Sequence, residues 1–522
     1  MRPHHWGMRF LILGLLLVGH CGGSLPAVGS ASAIAQNCEP VEVQGLEPEG
    51  VHDDAACGYA VALLDDVALV GVPFDDRHGT DAGAVIAYRY TDGQWVEESA
   101  LTATDPYGSG DWFGYCLALS EEFAVIGAPH DDIGEPNSGS VYVFHRDGEQ
   151  WSEYAKLLAS DGGDREEFGC SVSIADDTIV IGASRADVGS KQLVGAAYVF
   201  QLIGSDWVQV AKLAAPDRSF DDGFGYAVAI AGDSILVGAP RRITYSHLEV
   251  GAVYAFHWDG SQWGFQQKLL PPAFHNFGKY GYAVAMTETS ALIGEPRSGN
   301  RTGMAYLLTR ENARWTQECR LRAPDAVGGD GFGAAVAMSG HTAVIGAPWL
   351  DAGALYIAQW DRRGCVISST VEPEPGEVDD QYGASVALAG GQAIVGTPGD
   401  DEGGIRDRGS ARVIALNCAP VLFTLGSCPG PMRFKVEDVT PGSRVAYLYA
   451  EGEGSIVIPP EYPCAGLTLR LNRTVHLVGV AGADDLGKAR LDVNVPASAC
   501  GRVYVQAVDL TTCDTSNVVK IQ

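Results

Sequence analysis

Positive charge is scarce in this chain: 35 Lys and Arg face 65 Asp and Glu across 522 residues, a formal net charge of −30. A nucleic-acid duplex or an anionic membrane surface would be repelled by that balance, so neither is expected as a partner. Long apolar runs are missing too. Phe10–Val18 comes nearest and is too short to cross a bilayer, so no membrane span is expected. No H-E-x-x-H, nucleophile elbow or phosphate-binding glycine loop occurs. The 12 cysteines include no C-x-x-C redox or zinc spacing. Histidines are few and scattered, and Asp/Glu pairs are so numerous that no acid–base pair stands out. No catalytic residues, cofactor or metal are therefore assigned, and the chain reads as a non-enzyme.

What is abundant is glycine, 66 residues, and repetition. Residues 224–240 hold two short apolar runs hinged at Ala231-Gly232-Asp233, a pattern that predicts a tight hairpin. The phrase recurs with its leading glycine at Gly58, Gly114, Gly169, Gly225, Gly281, Gly333 and Gly383. Each glycine is followed at a fixed offset by Pro73, Pro129, Ser184, Pro240, Pro296, Pro348 or Pro398. A near-constant period of this size marks a repeat architecture. Each repeat but the seventh has four strand-like pieces, and a tryptophan opens the fourth at Trp95, Trp151, Trp207, Trp263 and Trp315. Such a ring can cover the outer part of one unit against the next.

Phe113-Gly114 followed by Gly127-Ala128-Pro129 resembles the FG-GAP repeat of integrin α-subunit propellers, and more closely its shorter form in secreted bacterial proteins. The resemblance covers roughly residues 38–418 and implies an all-β fold, a seven-bladed β-propeller. Integrin-type repeats hold calcium in an Asp-rich loop between the first two strands of a blade, with several oxygens converging on one ion. Here that hinge is only Ala231-Gly232-Asp233, Ser120-Glu121-Glu122 or Ala175-Asp176-Asp177, so the family's metal residues do not carry over.

Residues 1–35 read as a signal peptide: Arg2 and Arg9, an apolar run, then Ala33-Ile34-Ala35 before a cleavage site at Gln36. The chain is thus expected outside the cell or on its surface, as a monomer. Residues 36–418 form the propeller domain, with 24 Lys/Arg against 55 Asp/Glu. The seventh repeat has no fourth strand. Residues 38–48 are predicted to supply it by pairing with 410–416, closing the ring and removing an open sheet edge. Cys38 and Cys418 sit at that seam, and a disulfide between them would contribute about 4–5 kcal/mol in the chain-entropy model. Residues 419–522 lose the period and read as a small β-sandwich-like domain. Of the three pairings open to its cysteines, Cys428–Cys464 and Cys500–Cys513 are expected. At least one thiol among Cys57, Cys116, Cys170, Cys319 and Cys365 is left unpaired.

The loops at one rim of the ring carry most of the acid, including Asp75, Asp76, Asp131, Asp132, Asp161, Asp221, Asp222, Asp379, Asp380, Asp400 and Asp401, and are read as a solvated charged edge. One arc differs. Arg241, Arg242, Tyr245 and His247 of repeat four, His275 and Lys279 in the connection to repeat five, and Arg297 and Arg301 beyond it bring basic and aromatic groups together, with Phe274 and Phe277 between them. Glu295 stands where other repeats have alanine or valine. Arginine suits bidentate contact with carboxylate or sulfate, and aromatics stack on sugar rings or peptide side chains. The arc is therefore a candidate site for an anionic glycan or an acidic protein segment. An enzyme acting on polysaccharides over the ring axis and a structural spacer are the competing function classes.

Overall fold

The hairpin at residues 227–239 forms as its sequence predicts. Ala227–Ala231 pairs antiparallel with Ser234–Ala239, and the turn holds two residues, Gly232 taking φ of 53°. Two further strands, Ala252–Trp258 and Trp263–Leu269, complete a four-stranded sheet. In this computed structural model the described residues are 38–416 and, within 421–520, the strands and a few residues beside them. Residues 49, 105–108, 149, 244–247, 312, 362–363, 374–377 and 402–405 of the first range are not described. The expected signal peptide lies outside the described residues.

Seven four-stranded antiparallel sheets follow one another, and the fold is the expected all-β, seven-bladed propeller. The first strands of successive blades touch all the way round, and that of blade seven meets that of blade one. The latch is present. Val41–Leu46 pairs with Ser410–Ala415, from Val41 opposite Ala415 to Leu46 opposite Ala411, and serves as the fourth strand of blade seven.

Two glycines explain the repeated phrase. A β-carbon on Gly238 would lie 2.1 Å from the carbonyl oxygen of Gly281, the leading glycine of the next repeat. The same closeness recurs in every blade and ends with Gly396 against the carbonyl of Gly58, at 1.9 Å. Backbone meets backbone at each blade junction, so no side chain fits. The phenylalanine before the leading glycine packs edge-on against its own blade. Phe224 meets Tyr254 and Phe256 at 5.5 and 6.1 Å, and Phe113 meets Tyr142 and Phe144 likewise. Each such aromatic is fully buried, where it adds packing area and favourable edge-to-face geometry. Trp95, Trp207 and Trp315 are buried as expected, and the Trp207 ring lies 5.5 Å from Phe123 of the preceding blade.

In the C-terminal region a three-stranded sheet (Val421–Gly426, Gly430–Glu437, Ala489–Val495) and a four-stranded sheet (His476–Gly482, Arg444–Ala450, Tyr504–Asp509, Val519–Lys520) share a core. Phe434, Val436, Val445, Tyr447, Ala489, Val505 and Ala507 fill it, in the manner of a sandwich.

Cys38 is disulfide-bonded, but the expected partner Cys418 lies outside the described residues. Cys464 is also bonded, while Cys428, Cys500 and Cys513 lie outside them. Cys319 and Cys365 form a disulfide between the outermost strands of blades five and six, Arg314–Leu321 and Gly364–Val371. Cys57, Cys116 and Cys170 are free.

Candidate functional site

The loop that joins the second and third strands of one blade and the loop that enters the next blade lie on one rim. A parallel bridge ties them at each of several junctions, as between Gly195 and Phe224 or Gly303 and Phe332. Most of the rim aspartates are exposed, as expected, among them Asp76, Asp132, Asp161, Asp221, Asp379 and Asp401, but four are buried. Asp75 and Asp222 are 1% exposed, and Asp131 and Asp380 are buried as well. Several of their oxygens act as tethers: Asp75 Oδ1 accepts from the backbone and side chain of Arg77, Asp131 Oδ2 from Ser140 and Tyr142, and Asp222 Oδ2 from the Ser219 N–H. Buried carboxylates need such partners, which is why these acids cluster in loops with free N–H groups. The exposed acids also hold the loops: Asp76 Oδ1 accepts the N–H of Asp81, Asp132 that of Asn137 and Asp401 that of Asp407, at 2.7–2.8 Å.

Carboxylates, tyrosines and lysines form a recurring triad. In blade three the Tyr198 hydroxyl donates to Asp161 at 3.0 Å, Lys212 Nζ reaches the same carboxylate at 2.7 Å, and that ammonium stands 5.0 Å above the Tyr198 ring. In blade four Asp217, Tyr254 and Lys268 repeat the arrangement. Burial raises the Asp161 pKa, but hydrogen bonds from Lys212 and Tyr198 outweigh it and hold the carboxyl below the ordinary aspartate value. Blade two uses Asp131, Tyr142 and Lys156. Blade five has Ala273 in place of the entering aspartate. Glu295 supplies the missing carboxylate: it is fully buried, accepts from Tyr306 at 2.5 Å and lies 3.3 Å from His275 Nδ1. The unusual glutamate is therefore a structural replacement.

The basic arc divides. Arg241 pairs with Asp221 at 2.6 Å. Arg242, with a mostly buried side chain, contacts Asp222 at 2.6 Å and Asp217 at 3.1 Å, so its charge is spent within the protein. Lys279 is half-buried and 3.4 Å from Glu249; burial, reinforced by Arg297, lowers its pKa. Tyr245 and His247 lie outside the described residues. The remainder converges. Phe274, His275, Phe277, Arg297 and Arg301 line one cleft of about 710 Å³, together with Asn276, Gly299 and Asn300. Phe277, Arg297 and Arg301 are exposed. The Arg297 guanidinium sits 5.5 Å from the Trp349 ring, Trp349 is 6.0 Å from Tyr282, and Tyr282 is 5.0 Å from Tyr226 on the adjacent blade. A row of rings thus leads from the cleft to the inner strands. A second aromatic group, Tyr59, Phe74, Trp112, Tyr115 and His130, occupies blades one and two, with Trp112 and His130 stacked at 3.5 Å.

Sequence reasoning passed over the row through Trp349 and Tyr282. A signal was available: tyrosine follows the leading glycine in only four of the seven repeats, at Tyr59, Tyr115, Tyr226 and Tyr282.

The model of the FG-GAP repeat family matches residues 95–144, 151–200, 207–256, 315–358 and 369–414. Comparison with curated proteins yields no match. Among solved structures, a crystal structure of a protein from Lactobacillus plantarum is similar at 12% identity and a TM-score of 0.42, over 82% of this chain and 100% of that one.

Proposed function

Because this chain is an FG-GAP repeat protein, we propose that it is a non-catalytic interaction module, exported to the medium or the cell surface, whose loop rim binds an anionic glycan or an acidic protein segment. The observation that carries this reading is the cleft at blades four and five. Two exposed arginines, a histidine and two phenylalanines share it, and among the described residues its lining includes no carboxylate. On a chain of net charge −30, a local basic surface favours an anionic ligand and disfavours the rest of the rim as its landing place. Phe277 offers an exposed ring beside the arginines for stacking. Arg241 and Arg242 help to hold the loops and are not assigned to the ligand.

A glycan and polyanion array probed with the mature protein at two salt concentrations tests the proposal. Binding should be salt-sensitive, because exposed charges are screened within about 10 Å at 0.1 M salt. It should fall when Arg297 and Arg301 are changed to Ala. Unaltered binding in that variant would remove the cleft from consideration. Export is tested by N-terminal sequencing of the protein from culture medium, which should begin at Gln36, and the monomeric state by light scattering.

A further inference from the structure

Blade six breaks the triad without repair. Its carboxylate and tyrosine are in place, with the Tyr356 hydroxyl donating to Asp325 Oδ1 at 2.9 Å. In blades two, three and four the residue directly opposite the tyrosine on the outermost strand is Lys156, Lys212 or Lys268. In blade five it is Arg320. Opposite Tyr356 it is Thr370. An ammonium lies 4.7–5.5 Å from the ring centre in the three sister blades, and among the described residues no Lys or Arg takes that place over Tyr356.

What lies there is a cleft of about 410 Å³, and Asp325, Asp330, Asp351, Tyr356 and Glu372 are in its lining. Among the described residues no Lys or Arg is ion-paired with any of these four carboxylates. Asp325, Asp351 and Glu372 are exposed, so a ligand can reach them. Among the described residues no group of three or more donors is arranged to hold a metal ion. The three sister blades, by contrast, show in this same molecule which group the aspartate–tyrosine pair takes.

We propose that the blade-six cleft binds an alkylammonium group, the lysine side chain of a protein partner, in the place that an internal lysine fills in blades two to four. The ammonium would donate to the Asp325 carboxylate and rest on the Tyr356 ring as a cation–π face, and the other three carboxylates would raise its local concentration. The site is separate from the basic cleft and stands whether or not that cleft binds an anion.

The test titrates the full-length mature protein with Nα-acetyl-lysine N-methylamide and with its uncharged norleucine analogue, followed by NMR. The lysine compound should bind saturably and shift signals of blade six, and the norleucine compound should not. Thr370→Lys supplies the missing cation from within. It should weaken lysine binding by about tenfold or more, as loss of a charge-assisted contact does, while raising the thermal midpoint. Asp325→Asn should weaken binding to a similar degree and checks the result independently. Equal binding of the two compounds, or wild-type affinity in either variant, would overturn the proposal.

Discussion

Gln44 and Trp95 clasp the seam of the ring. The Gln44 side-chain amide donates to the Trp95 carbonyl at 2.7 Å and accepts the Trp95 N–H at 2.8 Å. Gln267 and Trp315 make the same reciprocal pair between blades four and five, at 3.0 and 3.1 Å. The latch strand therefore holds blade one as an ordinary outer strand holds its neighbour. Changing Gln44 to Ala should cost about 1–2 kcal/mol, two modest hydrogen bonds with one buried N–H left unmet. Gln267→Ala should cost about the same. Thermal and denaturant midpoints check this, and a silent Gln44→Ala beside a destabilising Gln267→Ala would show that the seam contributes little.

The blade junctions predict a sharp contrast between two glycines of one blade. Gly238→Ala drives a methyl group into the Gly281 carbonyl and should destabilise by about 3 kcal/mol, the upper range for overpacking. Gly264→Ala, on the outermost strand with no atom within 4 Å of its added carbon, should stay within about 0.5 kcal/mol of wild type. Equal effects in urea unfolding would contradict the close approach.

The Cys319–Cys365 bridge closes a loop of 46 residues across two blades. In the chain-entropy model that contributes about 4 kcal/mol, so a Cys319→Ser/Cys365→Ser variant should unfold at clearly lower denaturant. Alkylation of the unreduced, unfolded chain followed by mass spectrometry should label Cys57, Cys116 and Cys170. Cys57 should resist labelling in the native state, because burial raises its pKa and blocks access. Labelling of Cys319 or Cys365 without reductant would refute the bridge.

Acid should loosen the triads. The folded-state pKa values of Asp161 and Asp217 lie below the ordinary 3.8: burial pulls each up, and bonds from Lys212 and Tyr198, or from Lys268 and Tyr254, outweigh it. A depressed carboxyl contributes stability that is present above its unfolded value and lost as pH falls through the folded one. The wild type should therefore lose stability below pH 3.8. A Lys212→Met/Lys268→Met variant should lose less over the same range. Parallel pH profiles for the two proteins would show that the lysines do not set these values. Glu295 contributes with the opposite sign. Burial raises its pKa above the ordinary 4.5, so its contribution is present below 4.5 and is lost as pH rises through the raised folded-state value.

The repeat, the four strands per blade and the latch were legible because each rests on local spacing: a leading glycine, a hinge, and a missing fourth strand with a spare one at the other end. The Cys319–Cys365 pairing was not. The two cysteines belong to different repeats and meet only because neighbouring blades pack side by side. Arg242 looked available in the sequence, since the aspartates that neutralise it, Asp217 and Asp222, lie 25 and 20 positions earlier and fold back onto it. Glu295 was visible as an exception, but its meaning needed the simultaneous loss of aspartate at Ala273. Thr370 left the same kind of trace, a lysine missing from a column of lysines.

The latch also sets an order in time. Val41–Leu46 is synthesised before the other strands of the ring, yet Ala415, the partner of Val41, comes 374 residues later, by subtraction of the paired positions. At about 5–20 residues per second, roughly 20–75 s pass before that partner exists. Throughout that interval the strand is an open edge. Its composition suits the wait: Val41 and Val43 face solvent even in the finished ring, Glu39, Glu42 and Glu47 lie in or beside it, and Pro40 and Pro48 flank it. Charge and proline of this kind discourage pairing with the wrong strand. The segment that completes the ring is thus also the one best able to remain alone.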